Sequence, residues 1–388
     1  MRKFLKWALR ALVVVLVIGA AVAFWKKDDI TRLLAVNSLF SEEKIVNNFS
    51  HMDEMFYNAP LDLADAPASS LMPNPMDMPD LSAWVQARAV TGLVVLKDGQ
   101  LVHESYYLGT ADTDLRISWS VAKSFLSALM GVVLEEGDIA SIDDQVTKYA
   151  PSLKGSAYEG ATIRNVLNMA SGVHFDEDYL DFNSDINKMG RVLALGGSMD
   201  EFAAGLSARD RAPGEAWQYV SIDTHVLGMV IRGATGRSIK DLMVEKLLTP
   251  LGLEAAPIYL TDGYGVAFVL GGLNLRTRDY ARLGQLFLQN GQWNGVQVVP
   301  KSWVQQSTVN SAPARPEGVG YGFQWWLPID GDEDEYFARG IYGQYIYVNP
   351  AKGVVIALNS ADRGFKNAGA NLQNITMFRE IVAKISAG

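Results

Sequence analysis

Residues Ala11 to Trp25 are apolar without interruption, between a start carrying Arg2, Lys3, Lys6 and Arg10 and the polar stop Lys26-Lys27-Asp28-Asp29. Fifteen residues fall short of the roughly 20 that cross a bilayer. A helix begun at Phe4 or Trp7, with Lys6 and Arg10 reaching back to the interface, supplies the missing length. Ala21-Val22-Ala23 is similar to a signal-peptidase site. An uncleaved anchor is the favoured reading of residues 1–29, and a cleaved signal that leaves a soluble protein is the alternative. In both, the basic start stays in the cytoplasm and the bulk of the chain is exported, to the periplasmic face of a bacterial inner membrane or the cell exterior.

Residues 30–56 are weakly helical, and then Pro60, Pro67, Pro73, Pro75 and Pro79 punctuate a stretch rich in Asp and Met. That pattern predicts an extended linker or strap over 30–80, with a folded domain from Leu81 to the end. Leu93-Val94-Val95-Leu96, a Lys97-Asp98-Gly99-Gln100 turn and Leu101–Tyr106 predict a hairpin. From Val121 to Leu134 the pattern is apolar almost all round a helix, which places that helix inside the protein. Caps and breakers at Thr162, Ser171-Gly172, Gly196-Gly197, Pro213-Gly214 and Pro250-Leu251-Gly252 then predict a mostly helical lobe over about 138–260. Strands return at Tyr345–Val348 and Val354–Leu358, and a last helix spans Ala368 to Ser386. Strands at both ends with helices between them predict an α+β fold: one antiparallel sheet built from both chain ends, flanked by helices, with an inserted helical lobe.

Composition narrows the chemistry. With 388 residues, 49% apolar and 20% charged, the chain can bury a sizeable core. A net charge of −9 and no basic stripe argue against nucleic acid as a partner. There is no cysteine, which excludes thiolate nucleophiles, thiolate metal sites and disulfides. His51, His103, His174 and His225 are not spaced as a zinc helix, so no metal or cofactor is expected.

Lys123 is the only charged residue in the apolar helix, and Ser120 lies one turn before it on the same face. A lysine there is costly unless paired or put to use, although one in a first helical turn can also reach water along its stem. A serine hydroxyl needs a base to become a nucleophile. No Gly-x-Ser-x-Gly elbow occurs, which removes the main support for an α/β-hydrolase.

Ser120-Val121-Ala122-Lys123, the run Pro213–Gly228 with Tyr219-Val220-Ser221, and Gly340-Ile341-Tyr342-Gly343-Gln344 resemble the three ordered motifs of the class C β-lactamase-like serine hydrolases. That group includes D,D-peptidases, esterases and 6-aminohexanoate-dimer hydrolases, and the resemblance covers about residues 80–386. It implies a β-lactamase/transpeptidase-like fold and an acyl-enzyme on Ser120. Lys123 and Tyr219 would move protons, and the backbone N–H groups of Ser120 and Ile341 would form the oxyanion hole. Ser221 and Gly340 would contact substrate. The loop Ser171–Asp181 is similar to one in the 6-aminohexanoate-dimer hydrolases, which implies substrate contacts from Tyr179 and Asp181.

Two departures bear on the substrate. Ser221 stands where β-lactamases carry asparagine, and Ala338-Arg339-Gly340 replaces Lys-Thr-Gly or His-x-Gly. Strand alternation is expected to turn the Arg339 side chain to the other face, leaving no cation to receive a substrate carboxylate. The resulting expectation is a small-molecule ester or amide lacking that carboxylate. The alternatives are a β-lactamase or D,D-peptidase acting on penicillins or peptidoglycan, and a non-catalytic binder of cell-wall fragments.

Overall fold

In a computed structural model the described residues are 2–63, 67–313, 319–328 and 335–387. Residues 1, 64–66 and 388, and the side chains of Arg2, Lys3 and Asp28, belong to the expected leader, strap and domain but lie outside the described set. Helix α1 (Arg2–Trp25) is followed by α2 (Lys27–Ser38). The segment Phe4–Trp25 has the length and composition to cross a membrane and is not buried against the rest of the protein.

The stretch after α2 lies against the rest of the protein. Leu39, Phe49 and Met52 are buried, and β1 (Asn58–Pro60) pairs antiparallel with a strand from the far side of the helical lobe. Next come β2 (Val90–Lys97) and β3 (Gln100–Tyr106), joined at Asp98 and Gly99, which both have positive φ. Two left-handed residues make the turn whose twist matches a hairpin. After β4 (Arg116–Ile117) and a 3₁₀ turn at Trp119–Val121 comes α3 (Ala122–Glu135). Short helices and α4 (Ser221–Thr235) follow, then β5 (Ile258–Leu260), β6 (Leu273–Leu275) and α5 (Thr277–Leu288). A small hairpin, β7 (Gln292–Trp293) and β8 (Val296–Gln297), precedes β9 (Val319–Tyr321), β10 (Trp326–Pro328), β11 (Tyr336–Gly340), β12 (Gln344–Asn349) and β13 (Val354–Ser360). The final helix is α6 (Ala370–Ser386).

The main sheet has the order β3-β2-β13-β12-β11-β10-β9 and its neighbouring strands are antiparallel. Val94, Leu96, Ile346 and Val355 join one apolar cluster with Leu283 of α5, while Leu93, Val95, Tyr347 and Ile356 join another with Phe378 of α6. Helices thus cover both faces, which is why the central strands are hydrophobic at nearly every position instead of alternating. Gly284 lets α5 lie close: a Cβ there would sit 2.5 Å from Val355 Cγ1. A second, four-stranded sheet, β1-β5-β6-β4, holds the chain just before Ser120, since Ser118 N donates to Leu273 O at 2.8 Å.

Candidate active site

Ser120 sits in the 3₁₀ turn that leads into α3, partly exposed, after Trp119 at φ +42°. Twelve of the fourteen α3 residues are buried, and Lys123 among them is only 2% exposed. Its Nζ lies 3.1 Å from Ser120 Oγ and donates to Leu270 O at 2.8 Å. Burial pushes the Lys123 ammonium down to about 7, against the pull of Glu177 and Asp223. A neutral amine is therefore accessible near neutral pH, 3.1 Å from a hydroxyl.

Tyr219 lies two residues before α4. Its ring stacks on Trp326 with centroids 5.5 Å apart, Lys123 Nζ is 5.5 Å from its centroid, and the Ser120 side chain is near enough to pull the phenol down. Burial, then the charge of Glu177, raises the phenol above its ordinary value, so it stays protonated and can pass a proton along.

Gly340 ends β11 against the Ser120 turn. A Cβ there would stand 2.8 Å from Ser118 O and 3.1 Å from Ser120 N, so only glycine lets the two backbones approach this closely. The contact brings the Gly340–Ile341 peptide beside Ser120, and all three residues border one cleft of about 740 Å³. Glu177, Tyr179, Tyr219, Trp326 and Arg339 line it too.

Of the two expected binding residues in the acidic loop, Tyr179 reaches the cleft. Asp181 is exposed, accepts a hydrogen bond from Asn183 N at 2.8 Å and is outside the lining. That local turn uses one of its two carboxylate oxygens. Ser221 is 1% exposed and likewise outside the lining; it lies behind Tyr219, with its hydroxyl donating to Glu177 Oε2 at 3.2 Å.

Glu177 escaped the sequence reading. It accepts from Ser221 N and from the Tyr179 hydroxyl, the latter at 3.0 Å, which ties the loop to the first turn of α4. Burial raises its carboxyl, and the hydrogen bonds from Ser221 oppose this. Nothing in the run Asp176-Glu177-Asp178 distinguishes the middle carboxylate, yet both neighbours are exposed. Asp223 is also buried, with one oxygen accepting from the Tyr158 hydroxyl at 2.8 Å; burial raises it to about 8.

The expectation for Arg339 is overturned. Arg339 does lie on the opposite face from Gly340, with its guanidinium 4.0 Å from the Trp326 ring centroid, but it still lines the cleft. β10 is paired with β11 at Trp326 and Phe337, and none of its residues is paired with Ala338–Gly340. Arg211 and Lys366 also border it, Arg211 bonded to Gln218 at 2.9 Å and Lys366 lying 3.5 Å from Asp178. Ser120, Tyr219 and the Gly340–Ile341 peptide border this crevice, with the Lys123 amine buried behind Ser120, and acyl transfer requires groups of these kinds.

Known proteins resemble this chain in sequence and in fold. The beta-lactamase family model matches residues 81–376. The 6-aminohexanoate-dimer hydrolase of Paenarthrobacter ureafaciens is 29% identical over 301 residues, covering 73% of this chain and 76% of that protein. A solved Bacillus anthracis protein, provisionally named a 6-aminohexanoate-dimer hydrolase, superposes with a TM-score of 0.82 at 22% identity, covering 90% of this chain and 96% of its own. The D-stereospecific amidohydrolase from Streptomyces sp. gives a TM-score of 0.53 at 20% identity over 73% of this chain and 94% of its own. The architecture is that of the β-lactamase/transpeptidase-like proteins, α+β with an antiparallel sheet flanked by helices.

Proposed function

The chain belongs to the beta-lactamase family and is a serine hydrolase, and from that premise we propose that it cleaves an ester or amide bond through an acyl-enzyme on Ser120. Ser120 Oγ attacks the carbonyl carbon while neutral Lys123 takes the hydroxyl proton. The backbone N–H groups of Ser120 and Ile341 hold the oxygen that becomes negative, and one such donor contributes on the order of 3–4 kcal/mol of barrier lowering. Tyr219 relays the proton to the leaving alcohol or amine, whose bond to the acyl carbon then breaks. Water, deprotonated by the same pair, releases the acid and restores Ser120. The observation that carries this reading is the 3.1 Å approach of a buried lysine nitrogen to Ser120 Oγ. No cofactor or metal enters the sequence of steps. In the same reading α1 attaches the exported protein to the membrane and residues 81–388 form the hydrolase domain, with the helical lobe over about 138–260.

Exposure to a fluorophosphonate followed by intact-mass measurement tests this. One adduct per wild-type chain and none in Ser120→Ala supports it; an unlabelled but folded wild type overturns it in favour of a non-catalytic binder.

Arg339 favours a second reading, in which the substrate carries a carboxylate, as penicillins and D-peptides do. Its place in the cleft returns the cation that the motif comparison had removed. Turnover of a chromogenic cephalosporin supports this reading, and turnover of neutral p-nitrophenyl esters alone refutes it.

A further inference from the structure

Two rings from the stretch between α2 and β1 reach the backbone on both sides of the reacting centre. Phe40 stacks on Tyr342 with centroids 4.6 Å apart and an interplanar angle of 14°, and its centroid is 5.7 Å from that of Trp119. Phe49, fully buried, meets Trp119 edge-on at 5.7 Å and Tyr342 at 5.5 Å. Trp119 immediately precedes Ser120, and Tyr342 immediately follows Ile341.

Both contacted residues are strained. Trp119 has φ +42° and Tyr342 φ +58°, a region that bulky L-residues occupy only where their surroundings over-determine it. The surroundings here include Phe40 and Phe49, and the stretch that bears them is pinned by polar bonds of its own. Phe49 O accepts from Ile117 N at 3.1 Å, Val46 O from Arg116 Nη1 at 2.8 Å, and Leu39 O from Asn48 Nδ2 at 3.1 Å. On its other side Tyr342 meets Phe365, a residue of the cleft wall, at 4.7 Å. All of residues 39–50 lie before the segment matched by the family model.

We propose that Phe40 and Phe49 are positioning residues: they hold Trp119 and Tyr342 in their left-handed conformations and so aim the N–H groups of Ser120 and Ile341 at the carbonyl oxygen of a bound ester or amide. The proposal rests on the hydrolase reading above. Trp119 sets the peptide that carries the Ser120 N–H, and Tyr342 sets the path by which the chain leaves Ile341. A small rotation at either residue moves a donor off the developing charge, where displacements of an ångström lower rates by orders of magnitude.

The test uses the full chain in detergent. Fluorophosphonate labelling of the wild type comes first, because its failure refutes the hydrolase reading and not the positioning role. Wild type, Phe40→Ala and Phe40→Trp are then compared in kcat, KM, melting temperature and inhibition by a boronic acid, whose tetrahedral adduct puts an oxygen between the two donors. Phe40→Ala should lower kcat and boronate affinity each by about tenfold while KM stays within about twofold, and Phe40→Trp should recover most of the loss. If Phe40→Ala does not fold, Phe40→Leu, which keeps bulk without a ring, replaces it. Unchanged kcat and boronate affinity would overturn the proposal whatever the melting temperature does, and so would a change confined to KM.

Discussion

Lys123 Nζ faces Ser120 Oγ across 3.1 Å from a helix that excludes water around it. Burial, which brings the ammonium down to about 7, gives the acylation rate a definite pH dependence. With the neutral amine as the proposed base, the rate should fall about tenfold per unit below pH 7 and level off above it. Stopped-flow acylation by an activated ester reads this profile. Lys123→Ala and Tyr219→Phe should each slow acylation by about 10²-fold or more; near-wild-type rates in both variants would refute the proton-transfer assignment.

Glu177 contributes one of the negative charges that hold the Lys123 ammonium up. Glu177→Gln keeps an oxygen for Ser221 N and Tyr179 but removes the charge. The midpoint of the acylation profile should therefore move to lower pH. A midpoint that stays put or rises would show that the Glu177 charge does not govern the base.

Replacing Gly340 by alanine puts a methyl group 2.8 Å from Ser118 O and 3.1 Å from Ser120 N. Both neighbours are backbone, so β11 must back away and carry the Ile341 donor with it. Expected are a kcat loss of about 10²-fold and a stability loss of about 1–3 kcal/mol. Steady-state kinetics and urea denaturation measure the two separately.

Arg339 gives the cleft a preference that can be read as a ratio. Arg339→Ala should lower kcat/KM for a carboxylate-bearing ester by about tenfold or more, the worth of a charge-assisted hydrogen bond, and leave a neutral ester of the same shape nearly unchanged. Equal losses on both would mean that Arg339 acts through the Trp326–Tyr219 stack and not on the substrate.

Away from the cleft, Arg282 is fully buried and pairs at 2.9 Å with both Asp279, itself 1% exposed, and Glu254. Arg282→Met leaves the Asp279 carboxylate without its partner in the interior. A destabilisation of about 3–5 kcal/mol is expected, measured by thermal or chemical unfolding.

What could be read from the sequence was what repeats or contrasts along the chain. The Asp98-Gly99 hairpin, the two late strands and the isolated lysine in the α3 stretch announce themselves by period or by exception. The α+β sheet built from both chain ends followed from their order. Side-chain direction was harder. Alternation put Arg339 on the face opposite Gly340, but nothing in the sequence says that β10 begins only at Trp326, opposite Phe337, and leaves Ala338–Gly340 unpaired on that side. Within Asp176-Glu177-Asp178 only the tertiary position of α4 selects the middle carboxylate. The Pro-rich composition after residue 56 suggested an extended linker or strap, and nothing in it marks the three residues of β1 that enter a sheet.

The burial of Phe49 and the pairing of β1 also govern how a freed form of this protein can arise. A protease cutting within α2, between Lys27 and Ser38, would shed a body that still carries both rings and the fourth strand of the small sheet. A cut only a few residues later, beyond Phe40, would release a molecule with a gap beside Tyr342. With α1 as the proposed anchor and Phe40 as the proposed positioning residue, whether a shed body keeps its turnover depends on the cut falling before or after residue 40.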